Sequence, residues 1–377
     1  MTVRANKPAF NIREKLKELT QNIGLKGREL MRAETAQEAR DLVSAGRKNM
    51  VINGDMRISQ RYGTTSTNTG SGTFVIDRHR HENNNSGSTT AQQVTDAPVG
   101  FHNSMKITVT GTDTSIVSNE FSYVRHIIEG NNINHLNWGT SNAKTVTLSF
   151  WVKSSVTGDF GGSLWNDAFN RSFPFNYTIN FANSWEHKSI TVPGCPDGTW
   201  ESGIARGINI GFIFLSGSTY TGPPGQWNSA GDIGPTNMVN LLATNGATWY
   251  ITGIQLEVGK NATDFEHRSY GEELALCQRY FQLVPLVNGL VATTTQVHGN
   301  YSLMTDLRAM PTVGLQGPIQ VNDNGVNVTQ SSAVIIAYGT GKTRFIQMNN
   351  FSGLTLHRPV FMRFQANNNL ITLTAEL

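Results

Sequence analysis

The chain has 377 residues, 15% of them charged, with 37 glycines and a net charge of +3. So small a basic excess, spread along the chain, gives no reason to expect nucleic acid or a membrane surface as a partner. Frequent, regular apolar runs exclude a disordered tail, and the length suggests two or three domains.

No apolar leader and no run of about 18 apolar residues occurs, so neither a signal peptide nor membrane insertion is expected. Two cysteines, Cys195 and Cys277, are too few for a disulfide framework and are expected as reduced thiols.

Residues 1–48 carry the helical signals. Asn11 followed by Glu14 makes a capping box. Ile12, Leu16, Leu19 and Ile23 then recur at heptad spacing. An isolated helix this short is marginal in water, so the stripe must bury against something. That partner is the chain's own second helix, a sister copy or another protein. The second helix is capped by Thr35 and Glu38, has Ala39, Leu42 and Val43 on one face and is stopped by Gly46.

Residues 49–267 alternate with period 2. Met105, Ile107 and Val109 do so, as do Val146, Leu148, Phe150 and Val152, then Phe175, Tyr177, Ile179 and Phe181, and then Ile208, Ile210, Phe212 and Phe214. One apolar and one polar face per strand, with turn-rich connections, predicts an antiparallel β-sandwich of jelly-roll type. In the closing stretch Tyr250, Ile254, Leu256 and Val258 are placed on one face, and Gln255 and Glu257 on the other. Long Gly/Ser/Asn/Pro loops carry Trp165, Tyr220 and Trp227, which are candidates to stack on sugar rings or else fold back onto the core edge. Trp151 and Trp185 adjoin strands and read as structural.

Residues 268–282 change period and read as a short hinge helix, with Leu274, Cys277 and Phe281 on one side. Residues 283–377 return to strands and form a small C-terminal β domain. Asp323-Asn324-Gly325 marks a tight turn. Val360, Met362 and Phe364 face Ile371 and Leu373 as a terminal hairpin. So thin a core favours burial against sister copies. The fold class is therefore mainly β: a short N-terminal helical segment, a sandwich, a hinge helix and a small C-terminal β domain.

Chemistry-bearing motifs are few. His79 and His81 share a strand face, as two metal ligands could, but no third ligand stands at suitable spacing. Gly339-Thr340-Gly341-Lys342-Thr343 mimics the end of a phosphate-binding loop, yet the required upstream glycine is replaced by Ile336 and a strand pattern follows, so it reads as a turn. There is no Gly-x-Ser-x-Gly elbow, and the acidic residues are dispersed. Neither an enzyme nor a cofactor is expected.

The run Gly253-Ile254-Gln255-Leu256-Glu257-Val258-Gly259, continued by Ala262-Thr263-Asp264-Phe265-Glu266-His267-Arg268-Ser269-Tyr270, resembles a segment of bacteriophage tail-fibre and other virion fibre proteins. There it ends a jelly-roll module similar to carbohydrate-binding modules. The opening Asn49-Met50-Val51-Ile52-Asn53-Gly54-Asp55-Met56-Arg57 is similar to the start of the same module, and Asp77-Arg78 matches as well, with His79 where the family usually has Trp.

The resemblance covers roughly residues 28 to 312. It implies a virion protein made in a bacterial cytoplasm and joined to other virion proteins through residues 1–48. It also implies a homotrimer and contact with a host-surface glycan. A purely structural capsid-decorating fibre or tail adaptor is the alternative. A polysaccharide-degrading tailspike fits less well, because no repeat is seen. Asp55 and Glu257, near the first and last strands, are the weak calcium candidates that the resemblance implies.

Overall fold

Alternating apolar residues become two facing sheets. A computed structural model describes residues 48–284, 288–315, 319–323, 326–330, 335–338, 343–364 and 371–377. The stripe Ile12, Leu16, Leu19 and Ile23, both N-terminal helices, the turn residues 324 and 325 and residues 339–342 lie outside them.

The first sheet runs in the order β1 (Thr67–Asn68), β4 (Ser88–Val94), β5 (Ser104–Gly111), β14 (Thr248–Val258), β7 (Val146–Ser154) and β10 (Glu186–Val192). The second runs β2 (Thr73–Ile76), β3 (His79–Asn84), β6 (Phe121–Glu129), β11 (Arg206–Ser216), β8 (Gly158–Trp165) and β9 (Ser172–Ile179). Every pairing within the two sheets is antiparallel. The protein is thus an antiparallel β-sandwich.

Leu148, Phe150 and Val152 from one sheet meet Ile208, Ile210 and Phe212 from the other in one buried cluster. Trp249 completes it, packing on Phe214 at 5.0 Å and donating its indole N–H to Tyr177 Oη at 3.1 Å. Each large side chain so buried contributes about 1.5–3 kcal/mol.

β14 changes neighbours half-way along. Its pairing with β7 slips between Thr252 and Gln255, at a bulge where Gly253 has φ 64°. Before the bulge it pairs with β5; beyond it, the Met50 N–H donates to the Leu256 carbonyl at 3.0 Å. The opening motif therefore has a packing reason. A Cβ on Gly54 would lie 2.1 Å from the Ile254 carbonyl oxygen. Asn53, at φ 59°, donates to the Ile58 and Asp77 carbonyls and accepts from the Ile58 N–H, which cross-links the turn.

The bulge also corrects the face assignment of the closing strand. Trp249, Ile251, Ile254 and Leu256 are in the core cluster, whereas Tyr250 is not and alternates with them to the outer face. One extra residue reverses parity.

Helix α1 (Tyr270–Gln278) starts where Ser269 Oγ accepts the Glu272 N–H at 3.3 Å, with Glu272 and Glu273 in the first turn. It leads into β15 (Phe281–Val284). β15 forms a small sheet with β24 (Ile371–Thr374) and β18 (Thr312–Leu315).

A second sheet of this region runs β20 (Val326–Gln330), β19 (Ile319–Asp323), β23 (Pro359–Phe364), β16 (Asn288–Thr293), β17 (Gln296–Ser302), β22 (Thr343–Met348) and β21 (Ile335–Tyr338). The expected terminal hairpin is therefore corrected. β23 pairs with β16 and β19, while β24 pairs with β15 and β18, so the two arms belong to different sheets.

The C-terminal β region has its own core around Val291, Val297, Val321 and Met348. It meets the sandwich through another apolar cluster of Ile52, Ile58, Ile127, Cys277, Tyr280 and Leu377. Cys277 and Phe281 are thus buried inside the chain, and Leu274 packs beside them, so this side of the helix is not an open patch for sister copies.

Charges line the same seam. Arg78, in the left-handed region at φ 71°, sits 3.4 Å above the Tyr280 ring, donates to the Ile127 carbonyl at 2.7 Å and pairs with Glu376. Arg61 lies 3.6 Å over Phe281 and 3.1 Å from Glu376.

Candidate functional site

The loop aromatics singled out from the sequence divide. Trp165 is corrected: it is the last residue of β8, is fully buried and packs edge-on against Tyr123 at 5.9 Å, so it has no face left for a ligand. Tyr220 is half-buried with its ring edge against Phe121. Trp227 is also half-buried. It packs on Trp138, Trp200 and Phe173 and donates to the Pro193 carbonyl at 2.8 Å. Both Tyr220 and Trp227 thus take the folded-back arrangement. An open groove of about 790 Å³ passes nearby, walled by Phe173, Ile190, Pro193, Pro224 and Lys260, and Trp227 does not line it.

The calcium candidates each have partners of their own. Asp55 is paired with Arg57. Glu257 accepts from the Thr263 N–H at 2.8 Å, from its hydroxyl at 2.6 Å and from Gln255 at 2.8 Å. Among the described residues neither belongs to a group of three His, Cys, Asp or Glu side chains that could hold a metal ion.

His79 and His81 do share a face, but it is the inner one. They lie opposite His126 and Val124 of β6 and are 1% exposed. Burial pushes His79 down to about 4 and His81 to about 3, so both rings are neutral at pH 7. Among the described residues no group of three His, Cys, Asp or Glu side chains could hold a metal.

The chemistry instead gathers on the outer face of the first sheet. Because Leu148, Phe150 and Val152 point inward, Trp151 and Lys153 of β7 point outward. Cross-strand register sets Trp151 between His187 and Thr252, and Tyr250 between Lys153 and Lys106. The Lys153 ammonium stands 4.3 Å from the Tyr250 ring centre and 5.1 Å from that of Trp185. It pairs with Asp96, whose carboxylate also accepts the Trp185 indole N–H at 3.2 Å. The Trp185 and Tyr250 rings meet at 6.1 Å and 70°. Lys106 approaches Tyr250 from the other side at 5.8 Å.

The floor beside this group depends on the bulge. A Cβ on Gly253 would strike the Phe101 ring at 2.7 Å and lie 3.2 Å from Trp151, so only glycine lets both rings close over the strand. The Thr252 hydroxyl is buried there without a hydrogen-bond partner.

Elsewhere the same face is sealed. Residues 259–266 fold back over it, with Thr147 donating to Gly259, Gln255 to Thr263, and the Glu266 N–H to Gln255 at 2.8 Å. Two apolar side chains in loops of this region are exposed, Val99 at 101% and Phe181 at 69%.

The carboxylate of this group is held ionised. Burial raises Asp96, but the hydrogen bonds from Lys153 and Trp185 outweigh it and keep the group below the ordinary value. Half-buried aromatic rings, two ammonium groups and an ionised carboxylate can hold a ring with apolar faces and polar edges.

Reading Trp151 and Trp185 as structural missed this platform. The signal was available in β7: a tryptophan and a lysine occupy the polar positions of a strand whose alternate positions are wholly apolar.

Neither a family model nor a curated protein matches the sequence. Among solved structures, the chain is similar to the enzymatically active domain of tailspike protein 4 from bacteriophage CBA120, at 14% identity and a TM-score of 0.30 over 56% of this chain and 21% of that one. It is also similar to a putative sugar binding protein from Bacteroides thetaiotaomicron, at 13% and 0.32 over 56% and 100%. A third is a family 11 carbohydrate-binding module from Clostridium thermocellum in complex with a mixed-linked tetrasaccharide, at 13% and 0.27 over 55% and 99%. The chain spans about a fifth of the tailspike domain's length. Likeness at this level leaves the function to the residues themselves.

Proposed function

We propose that this protein is a non-enzymatic, glycan-binding subunit of a bacteriophage virion fibre, assembled as a homotrimer. The observation that carries glycan binding is the platform of Trp185, Tyr250 and Trp151 with Lys153, Lys106 and Asp96 on the open part of the first sheet. Aromatic faces take up the apolar faces of pyranose rings, and a few fixed polar groups orient them. Fibre context is supported by the resemblance of the opening and closing motifs, which here build the turn and bulge that shape the platform. Several weak sites on one trimer would act together.

The test is a glycan array with the full chain, followed by titration of any positive glycan. Trp185→Ala is expected to weaken binding about tenfold or more, the loss of a central aromatic contact. Near-UV circular dichroism serves as the control for folding. No binding to any glycan, or unchanged affinity in Trp185→Ala, contradicts the reading; the former would leave the capsid-decorating or adaptor role.

A further inference from the structure

Residues 49–58 tie the sandwich to the C-terminal β region without belonging to a strand themselves. On one side Met50 and Gly54 bond to Leu256 and Ile254 of β14. On the other, the Asn53 N–H donates to the Glu273 carboxylate of α1, and Arg268 donates to the Asn49 and Val51 carbonyls. Ile52 and Ile58 pack with Cys277 and Tyr280 in the apolar cluster of the seam.

One contact of this turn is made by a titratable group. The Ile52 N–H donates to His126 Nε2 at 3.3 Å. A neutral imidazole has one nitrogen that accepts and one that donates, so the His126 proton sits on Nδ1. A second proton can go only to Nε2. It turns the acceptor into a donor that faces another donor, and the Ile52 N–H is left without a partner at a buried site.

The groups around the ring oppose the added charge. His126 is 1% exposed and lies opposite Ile210 of β11 and His79 of β3, whose ring centre is 5.2 Å away. Arg78, between β2 and β3, and Arg268, just before α1, add positive charge. The carboxylates of the seam are already engaged: Asp55 with Arg57, Glu273 with Arg268 and the Asn53 N–H, and Glu376 with Arg78 and Arg61. Asp77 accepts from Gln60 and lies 3.6 Å from Arg61. Burial first, and then these cations, hold His126 well below its ordinary value, so the ring takes up its proton readily only once it reaches water. β6 is paired on both sides, by β3 and β11, so the turn is the element that yields.

We infer that residues 49–58 form an acid-released latch: protonation of His126 expels the turn and frees α1 and the C-terminal β region from the sandwich, while the two sheets stay folded.

Cys277 reports the latch because it packs with Ile52 and Ile58, and Cys195, buried in the sandwich core, is the internal control. The full chain is treated between pH 7.5 and 5 with dithiodipyridine, a disulfide that thiols also attack in acid, and each cysteine is followed by peptide mass. Rates are divided by those of the urea-unfolded chain at the same pH. The expected result is a Cys277 rate that rises at least tenfold from pH 7.5 to 5 while Cys195 stays protected, since a freed histidine binds its proton near pH 6.5. Asp77, which holds a proton up to about 6 in the folded chain, subtracts part of the rise. His126→Gln offers the Ile52 N–H an acceptor that gains no charge, and should remove most of the rise, as should His126→Asn. A level Cys277 rate, or Cys195 and Cys277 rising together, overturns the latch, and these outcomes in the unsubstituted chain stand even if neither variant folds. A rise that is unchanged in a folded variant overturns the assignment to His126.

Discussion

Replacing Glu376 by Ala is expected to destabilise the folded chain by about 3–5 kcal/mol, the usual cost of removing one partner from a buried ion pair. Glu376 is 6% exposed at its side chain and serves two guanidinium groups, Arg78 at 1% and Arg61 at 12%. The substitution leaves Arg78 with the Tyr280 ring and the Ile127 carbonyl but no carboxylate. Arg61 keeps Asp77 at 3.6 Å. Asp77 is itself pushed up to about 6 by burial, with Arg61 and Gln60 opposing, so it is a weak substitute near that pH.

Urea unfolding of the full chain at pH 7.5 checks the loss. Pairing Glu376→Leu with Arg78→Met should recover much of it, because two apolar groups then replace a matched pair. A loss below about 1 kcal/mol in Glu376→Ala would show that the seam holds without this pair.

Acid should unfold this protein well before its ordinary carboxylates titrate. His79, His81 and His126 are buried between the sheets; the first two have folded values of about 4 and 3, and His126 is held well below its ordinary value, all chiefly by burial. The rings of His79 and His126 lie 5.2 Å apart, and Arg78 adds like charge nearby.

The unfolded chain takes up protons near pH 6.5 while the folded chain does not, so stability rises with pH in the window between and falls as pH drops through it. Each histidine contributes a slope of about 1.4 kcal/mol per pH unit there. Asp77 acts oppositely. Its raised value means the folded state holds the proton between about 4 and 6, which offsets the slope of about one histidine. The net loss is on the order of 2–3 kcal/mol per pH unit between pH 6 and 4. Urea midpoints measured at pH 7.5, 6, 5 and 4.5 should fall steadily, and His81→Phe should flatten the curve. A midpoint that holds constant from pH 7.5 to 4.5 contradicts neutral burial of these rings.

Much of the sandwich was legible because period-2 alternation records burial directly. Residues such as Phe150 and Phe212 could be assigned to the core without knowing their partners. The short helix was legible too, from the three- and four-residue spacing around Leu274, Cys277 and Gln278. The platform was not. Loop aromatics drew attention in the sequence, but a tryptophan in a loop can be turned inward by its neighbours, as Trp227 is by Trp138 and Trp200. Trp185 reads as structural in the sequence, and its indole is bonded to Asp96, 89 residues away.

By itself, then, the sequence determined the fold class, the closing role of residues 249–258 and the scarcity of catalytic motifs, because these depend on local patterns of polarity and spacing. Only the tertiary structure decided which face Tyr250 occupies, since a single bulge at Gly253 reverses the parity that alternation alone assigns. It also decided that Asp77-Arg78 and Glu376 lock the sandwich to the C-terminal β region, and that β23 and β24 lie in different sheets. Those outcomes rest on contacts between residues far apart in the chain, up to 298 positions for Arg78 and Glu376, whose energies no local pattern encodes.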